Sequence, residues 1–332
     1  MAHHHRHIIG QPKTGKTALL AELIAYDQTP GRCIIDTSGD LHVPHDFLFD
    51  PAVTRWNPLS EPIDPNLAPR FFAETVKDAF GYDDLSTPVM SMYLSFVAAA
   101  LIENRYNLTD APKLLTDPEF LAACHFNNAL VQRFWDSFAA LSERDRRAET
   151  ASTLNKFLGL LLDGRAHRMF SVNRSGLPLQ SLADKTTLVR LPLHLYGNDT
   201  VTLIGSLLLA YLSQLITTPY AIYVEDADRF AKGTLVNLLT RGSISLTLSH
   251  QYLGQLDQEK LLPAVMGNCA ERHVFRVSKA DADFLARDLP PMSSKFNLDE
   301  LPRFTYRSFP YYRLAPDGVT IPLEKLSNES VD

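Results

Sequence analysis

Near the start of the chain, Gly10-Gln11-Pro12-Lys13-Thr14-Gly15-Lys16-Thr17 fits the spacing GxxxxGK[ST], which suits the polyphosphate of a nucleotide. Backbone N–H groups of such a loop, and of the first helical turn through Ala18, point at the phosphates. Lys16 is placed to reach the β- and γ-phosphates and the Thr17 hydroxyl to ligate Mg²⁺. Gly15 allows close backbone approach, while Lys13 stands where many such loops carry another glycine. Roughly one chain in a hundred of this length would show the pattern by chance, so the flanks carry weight.

Those flanks have the required order. Ile8-Ile9 reads as the end of a buried strand, and Ala18-Leu19-Leu20-Ala21-Glu22-Leu23-Ile24 has a strongly helical composition. The expected ligands are therefore ATP and Mg²⁺. Farther on, the apolar run Tyr220-Ala221-Ile222-Tyr223-Val224 delivers Glu225 and Asp226 at its tip. A strand of this kind ending in two acids suits metal binding by one, here Glu225 with Thr17, and polarisation of the attacking water by the next, Asp226. Ser245-Leu246-Thr247-Leu248-Ser249 reads as another strand, ending at His250-Gln251, where Gln251 is a candidate γ-phosphate sensor. Arg241, just before that strand, has the type of a solvated surface charge when taken alone.

Further strands are expected at Arg32-Cys33-Ile34-Ile35-Asp36 and His273-Val274-Phe275-Arg276-Val277, and a helix at 279–289. Asp36 and Asp40 have two readings, as groups near the nucleotide or as members of an Asp/Ser/Gly-rich turn. From about 66 to 168 the pattern becomes helical, at 68–80, 89–104, 118–124, 130–141 and 150–162, with Pro and Asp as punctuation. The charged stretch Ser142-Glu143-Arg144-Asp145-Arg146-Arg147 reads as a solvated helix face. The tail, 303–322, reads as strands around a turn at Pro316-Asp317-Gly318.

Composition narrows the class. The chain has 332 residues, 45% hydrophobic and 21% charged, with a formal charge of -6. That balance belongs to a globular protein and gives no global attraction to nucleic acid, although steering depends on local potential. No apolar run suits a membrane span, and no signal peptide is visible. Cys33, Cys124 and Cys269 have no CxxC spacing, against a zinc module and in keeping with a reducing compartment. A cytoplasmic location is expected. His3-His4-His5-Arg6-His7 reads as a leader or tag remnant, with His7 beginning the first strand.

In order, these segments resemble the FtsK/HerA superfamily of DNA-pumping ATPases, and most closely its HerA-like and type IV secretion coupling branch. Ile34-Ile35-Asp36-Thr37-Ser38-Gly39-Asp40-Leu41 is similar to the family's "iDpHGDL" segment, and Trp56-Asn57-Pro58-Leu59 to its "fNPL". Leu114-Leu115-Thr116-Asp117-Pro118-Glu119-Phe120 and Phe134-Trp135 look like landmarks of its helical insertion. Leu246-Thr247-Leu248-Ser249-His250-Gln251-Tyr252-Leu253-Gly254-Gln255-Leu256 matches its glutamine motif. Asn268, Val274-Phe275-Arg276-Val277 and Asp281-Ala282 resemble its "N…vxFRxxxxDA" block. The acids depart from the family order, Asp-Glu, being reversed here as Glu225-Asp226.

The resemblance implies an α/β fold, a RecA-like P-loop NTPase core with a mainly parallel sheet and an inserted all-helical subdomain. The boundaries expected are 1–62 and 176–325 for the core, 63–175 for the insertion and 326–332 for a tail. It further implies an ATP-driven DNA translocase in a homohexameric ring, acting on duplex DNA. An accessory nuclease, secretion or packaging partner would accompany it. Within it, Lys16 and Thr17 bind phosphate and Mg²⁺, Gln251 senses the γ-phosphate, and Arg241 reaches a neighbouring subunit's site, with Arg276 as second candidate. The chain looks like a bare motor, without the membrane helices of coupling proteins or the barrel of HerA. The alternatives are a nucleotide-dependent scaffold with weak hydrolysis and an ATPase that moves protein.

Overall fold

The computed structural model describes residues 4–82, 88–176, 178–256, 259–286, 312–314 and 320–322. The chain forms two compact units, one of residues 1–47, 183–190 and 218–332, the other of residues 48–182 and 191–217. The strands are β1 His5–Ile9, β2 Gly31–Asp36, β3 Phe47–Phe49, β4 Thr186–Arg190, β5 Tyr220–Val224, β6 Ile244–His250, β7 Cys269–Val274, β8 Tyr312–Leu314 and β9 Thr320–Pro322. Their order in the sheet is β3-β4-β2-β5-β6-β1-β7-β8-β9. The strands from β4 through β7 in that order pair parallel, and β8 and β9 add antiparallel. The fold is thus the expected mainly parallel α/β arrangement.

The central strands are apolar because both faces of such a sheet are covered. Every residue of β5 and β6 is buried. Each large aliphatic side chain there contributes about 2 kcal/mol through burial. Parallel pairing sends all these strands the same way, so the ends of β1, β2, β5 and β6 lie along one edge. β6 sits between β1 and β5, which brings its tip between the glycine loop and the acid pair.

Several expectations shift. β1 takes in His5 and Arg6, so this half of the histidine tract is part of the sheet rather than a leader. His5 Nδ1 accepts from the Leu246 N–H at 3.1 Å, and Arg6 Nε donates to Glu271 at 2.9 Å. β7 runs from Cys269 to Val274, earlier than expected from the apolar run, because it pairs with β1 along its length. β4 was not anticipated. The helix Lys279–Ala286 begins where expected; its expected end and the turn at 316–318 lie outside the described residues.

The second unit is helical. Its principal helices are Ala68–Ala79, Pro88–Glu103, Ala129–Ala140, Glu143–Leu161 and Asn198–Leu215. The polar punctuation of the sequence consists of helix caps. Asp117 accepts from the N–H groups of Glu119 and Phe120, Asn128 from Leu130, Ser142 from Asp145, and Asp163 from Arg165 and Ala166. Each such cap contributes about 1 kcal/mol. The Ser142 cap starts its helix seven residues before the apolar pattern shows, which places the charged stretch on an exposed first turn. Tyr93, Phe134, Trp135 and Phe138 pack edge to face in the core of this unit. No described helix is long and apolar enough to cross a membrane.

Glu271 ties the outer strands of the first unit together. It accepts from Arg6 on β1 and Arg313 on β8, and lies 3.2 Å from His273 Nε2. Burial pushes its carboxyl up, but the His273 and Arg313 hydrogen bonds and the Arg6 charge outweigh this and hold it far below its ordinary value. A depressed carboxyl contributes stability above its unfolded value, lost as pH falls. Glu271→Gln is expected to lower the unfolding free energy at pH 7 by about 2 kcal/mol. Urea denaturation should show this difference shrinking as the pH drops through 4 toward 3.

Candidate nucleotide site

The glycine loop links β1 to the helix Lys16–Tyr26. Gly10 admits no side chain, since a Cβ there would stand 2.4 Å from Phe275 Cβ. Gly15 takes φ 107° and Lys13 φ 61°. Lys13 thus adopts the left-handed conformation a glycine would take more readily, at a cost of about 1 kcal/mol. The loop is anchored on both sides: the Gly10 N–H donates to the His250 carbonyl at 3.4 Å and the Gln11 N–H to the Arg276 carbonyl at 2.8 Å. Lys16 Nζ donates to the Gly10 and Gln11 carbonyls at 2.7 and 3.0 Å. Burial lowers the Lys16 pKa, opposed by the nearby charges of Asp226 and Glu225.

Glu225 continues the β5 ladder, its N–H donating to the Ile35 carbonyl at 3.1 Å. Its side chain is buried, and three donors reach it. Thr17 Oγ1 donates to Oε1 at 2.9 Å, and the backbone N–H groups of Thr37 and Ser38 donate to Oε2 at 3.2 and 3.1 Å. Burial raises the Glu225 pKa against the Thr17 and Ser38 hydrogen bonds. A hydroxyl and a carboxylate converging at a helix N-terminus fit Mg²⁺, which takes one or two protein oxygens and keeps several waters. No group of three or more His, Cys, Asp or Glu side chains suited to a metal occurs among the described residues.

Asp226 breaks the strand with φ 48° and ψ 52°. Its Oδ2 accepts from Thr37 Oγ1 at 3.1 Å and Arg229 Nε at 3.4 Å. Asp36 takes the turn role of its two readings. Its carboxylate accepts from Ser38 Oγ, the Gly39 N–H and the Leu41 N–H at 3.0, 2.7 and 3.3 Å.

At the tip of β6, the Gln255 Oε1 accepts the N–H groups of Gln251 and Tyr252 at 2.7 and 3.0 Å. The Gln255 Nε2 donates to Asp228 at 3.1 Å, so one side chain ties the β6 loop to the turn after β5. His250 and His7 are buried and stacked, with Nε2 atoms 2.6 Å apart. Burial lowers the His250 pKa to about 4. A neutral His250 donates from Nδ1 to the Tyr252 carbonyl at 3.1 Å, leaving its Nε2 to accept from His7. Sequence reasoning gave no role to Thr37, Ser38, Gln255 or this histidine pair. Only the Asp-Thr-Ser-Gly composition hinted at the turn.

Lys16, Thr17, Glu225 and Asp226 come together, and Gln251 follows the strand between them. Arg241 does not join them. It precedes the start of β6, and Gln251 follows its end, about 20 Å away at strand rise. Arg276 lies beside the loop, with its Nε buried and without a hydrogen-bond partner among the described residues. A cleft of about 390 Å³ is lined by Gln11, Pro12, Gln251, Tyr252, Ser278 and Asp281.

The fold resembles that of TrwB. The bacterial conjugative coupling protein TrwB matches at a TM-score of 0.66 and 14% identity, over 98% of this chain and 87% of that one. TrwB in complex with a non-hydrolysable ATP analogue matches over 99% and 86% at the same TM-score. VirB4 of Thermoanaerobacter pseudethanolicus matches at 0.62 and 10% identity, over 97% and 89%. No family model matches the chain, and no curated protein aligns with it by sequence. The P-loop α/β fold expected from the sequence is therefore shared with these proteins.

Because burial disfavours the charged Glu225, the ionised group costs stability as pH rises through its raised pKa. Glu225→Gln keeps acceptor and donor atoms for its neighbours while removing the charge. Calorimetry in metal-free buffer at pH 7 should give it a melting temperature equal to or above that of the parent protein.

Proposed function

We propose that the chain is an ATPase motor that moves DNA, working as a homohexameric ring. The observation that supports this best is the contact between Thr17 and Glu225, with Asp226 next in the chain and the tip of β6 interposed. The glycine loop and Lys16 bind the triphosphate, Lys16 exchanging its bonds to the loop carbonyls for the β- and γ-phosphates. Thr17 and Glu225 would hold Mg²⁺, which would supply positive charge to the phosphates. Asp226 orients the attacking water, directly or through one further water. Gln251 contacts the γ-phosphate.

The order of the two acids has a backbone reason. The position after Glu225 is left-handed, a conformation Asp adopts more readily than Glu. The longer Glu225 then spans to Thr17 from the strand end. Turnover is expected to be slow, because Asp226 has one methylene less with which to reach its water.

TrwB is a conjugative coupling protein, and its complexes with an ATP analogue and with ADP and Mg²⁺ support the same ligands here. The separation of Arg241 from its own chain's acids supports action in another copy's site. An arginine finger is worth about 10³- to 10⁵-fold in rate. In this reading the motor would work with an accessory nuclease, a secretion apparatus or a packaging partner.

ATP turnover with and without duplex DNA tests this reading. Turnover should rise with duplexes of unrelated sequence, and the DNA effect should fade with salt. Lys16→Ala should be inactive. Arg241→Ala should bind ATP without turning it over, and mixing it with Lys16→Ala subunits should restore part of the rate. Turnover indifferent to DNA would favour a protein-moving ATPase, and no turnover with tight ATP binding would favour a scaffold.

A further inference from the structure

Thr37 sits at the tip of β2, beside the tip of β5, and is 1% exposed. Its two polar groups divide between the two acids. The backbone N–H donates to Glu225 Oε2 at 3.2 Å, and the hydroxyl donates to Asp226 Oδ2 at 3.1 Å. The hydroxyl also lies 3.5 Å from Glu225 Oε2, but it has one proton, and the shorter contact takes it.

The position of that hydroxyl is not left to chance. Asp36 is fully buried, and three donors from the following residues close the turn on its carboxylate. Thr37 and Ser38 therefore present their N–H groups from a locked backbone. Both hydrogen bonds to Asp226, from Thr37 and Arg229, fall on Oδ2. No described residue engages Oδ1, which is left as the oxygen able to accept from water.

A short acid on a left-handed residue cannot search for its water over much range. Its orientation must come from outside, and a wrong rotation about its bonds would move the accepting oxygen by an ångström or more, a displacement that can cost about 10²-fold in rate. We infer that Thr37 is a positioning residue for hydrolysis: its hydroxyl fixes the Asp226 carboxylate so that Oδ1 faces the attacking water, while its N–H holds Glu225. The inference rests on Asp226 being the water-orienting acid, as proposed above.

Thr37→Val keeps the shape and the backbone N–H and removes only the hydroxyl. ATP turnover at saturating Mg²⁺ is expected to fall about 10- to 100-fold, in line with loss of one hydrogen bond to a charged group. The KM for ATP and the Mg²⁺ requirement should change by less than about threefold, since the bonds to Glu225 survive. Thr37→Ser should return most of the rate. Adding Thr37→Val to Asp226→Asn should cause no further loss, because both act through one carboxylate.

Wild-type turnover in Thr37→Val, with Asp226→Asn inactive, would overturn the role of Thr37 alone. A raised KM with unchanged kcat would also overturn it, since Thr37 would then act through Glu225. Wild-type turnover in Asp226→Asn would remove the acid assignment on which the inference stands.

Discussion

A carboxylate buried at the end of a strand is the constraint around which the first unit is arranged. Taking an ionised Glu out of water costs several kcal/mol unless donors replace the solvent. For Glu225 these donors come from two other strand tips, Thr17 beyond β1 and the Thr37–Ser38 backbone beyond β2. They meet only if the strands keep register: Ile35 opposite Val224, Val224 opposite Leu248, and Ile9 opposite His250. A slip of one residue would turn every side chain to the other face. The apolar packing of β5 and β6 thus acts at a distance, by fixing where polar groups emerge at the sheet edge.

The same edge explains why side chains with no chemistry of their own matter. Asp36 shapes the turn that supplies two N–H groups. Gln255 joins the loop after β6 to the turn after β5 through Asp228, so Gln251 and the turn that carries Asp226 are coupled by a single side chain. His250 holds the β6 tip by two routes, its carbonyl accepting from Gly10 and its ring bonding His7 and the Tyr252 carbonyl. Burial keeps that ring neutral at pH 7, so it adds no positive charge beside Lys16.

Much of this was legible in the sequence, for physical reasons. The glycine spacing, the apolar strands and the acids at their tips are local patterns, and β1, β2, β5 and β6 formed close to their expected places. The β2 turn was less legible because its composition fits both a ligand contact and a structural turn, and only the hydrogen bonds of Asp36 separate the two. The histidine tract misled because composition suggests a leader, whereas pairing of His5 through Ile9 with β6 and β7 makes it a strand. The early start of the helix at Glu143 was hidden because its first turns are exposed and carry no apolar periodicity. β7 was misplaced because Glu271 and Arg272 break the apolar pattern, their side chains being held by Arg6 and Arg313 and by the Met266 carbonyl.

The central claim is that these strand tips form one Mg-nucleotide site. Calorimetric titration of ATP, with and without Mg²⁺, into the parent protein and Thr17→Val tests it most directly. The account predicts that Mg²⁺ tightens ATP binding to the parent protein and has little effect on Thr17→Val. Binding that Mg²⁺ strengthens equally in both proteins, or no binding of ATP at all, would contradict it.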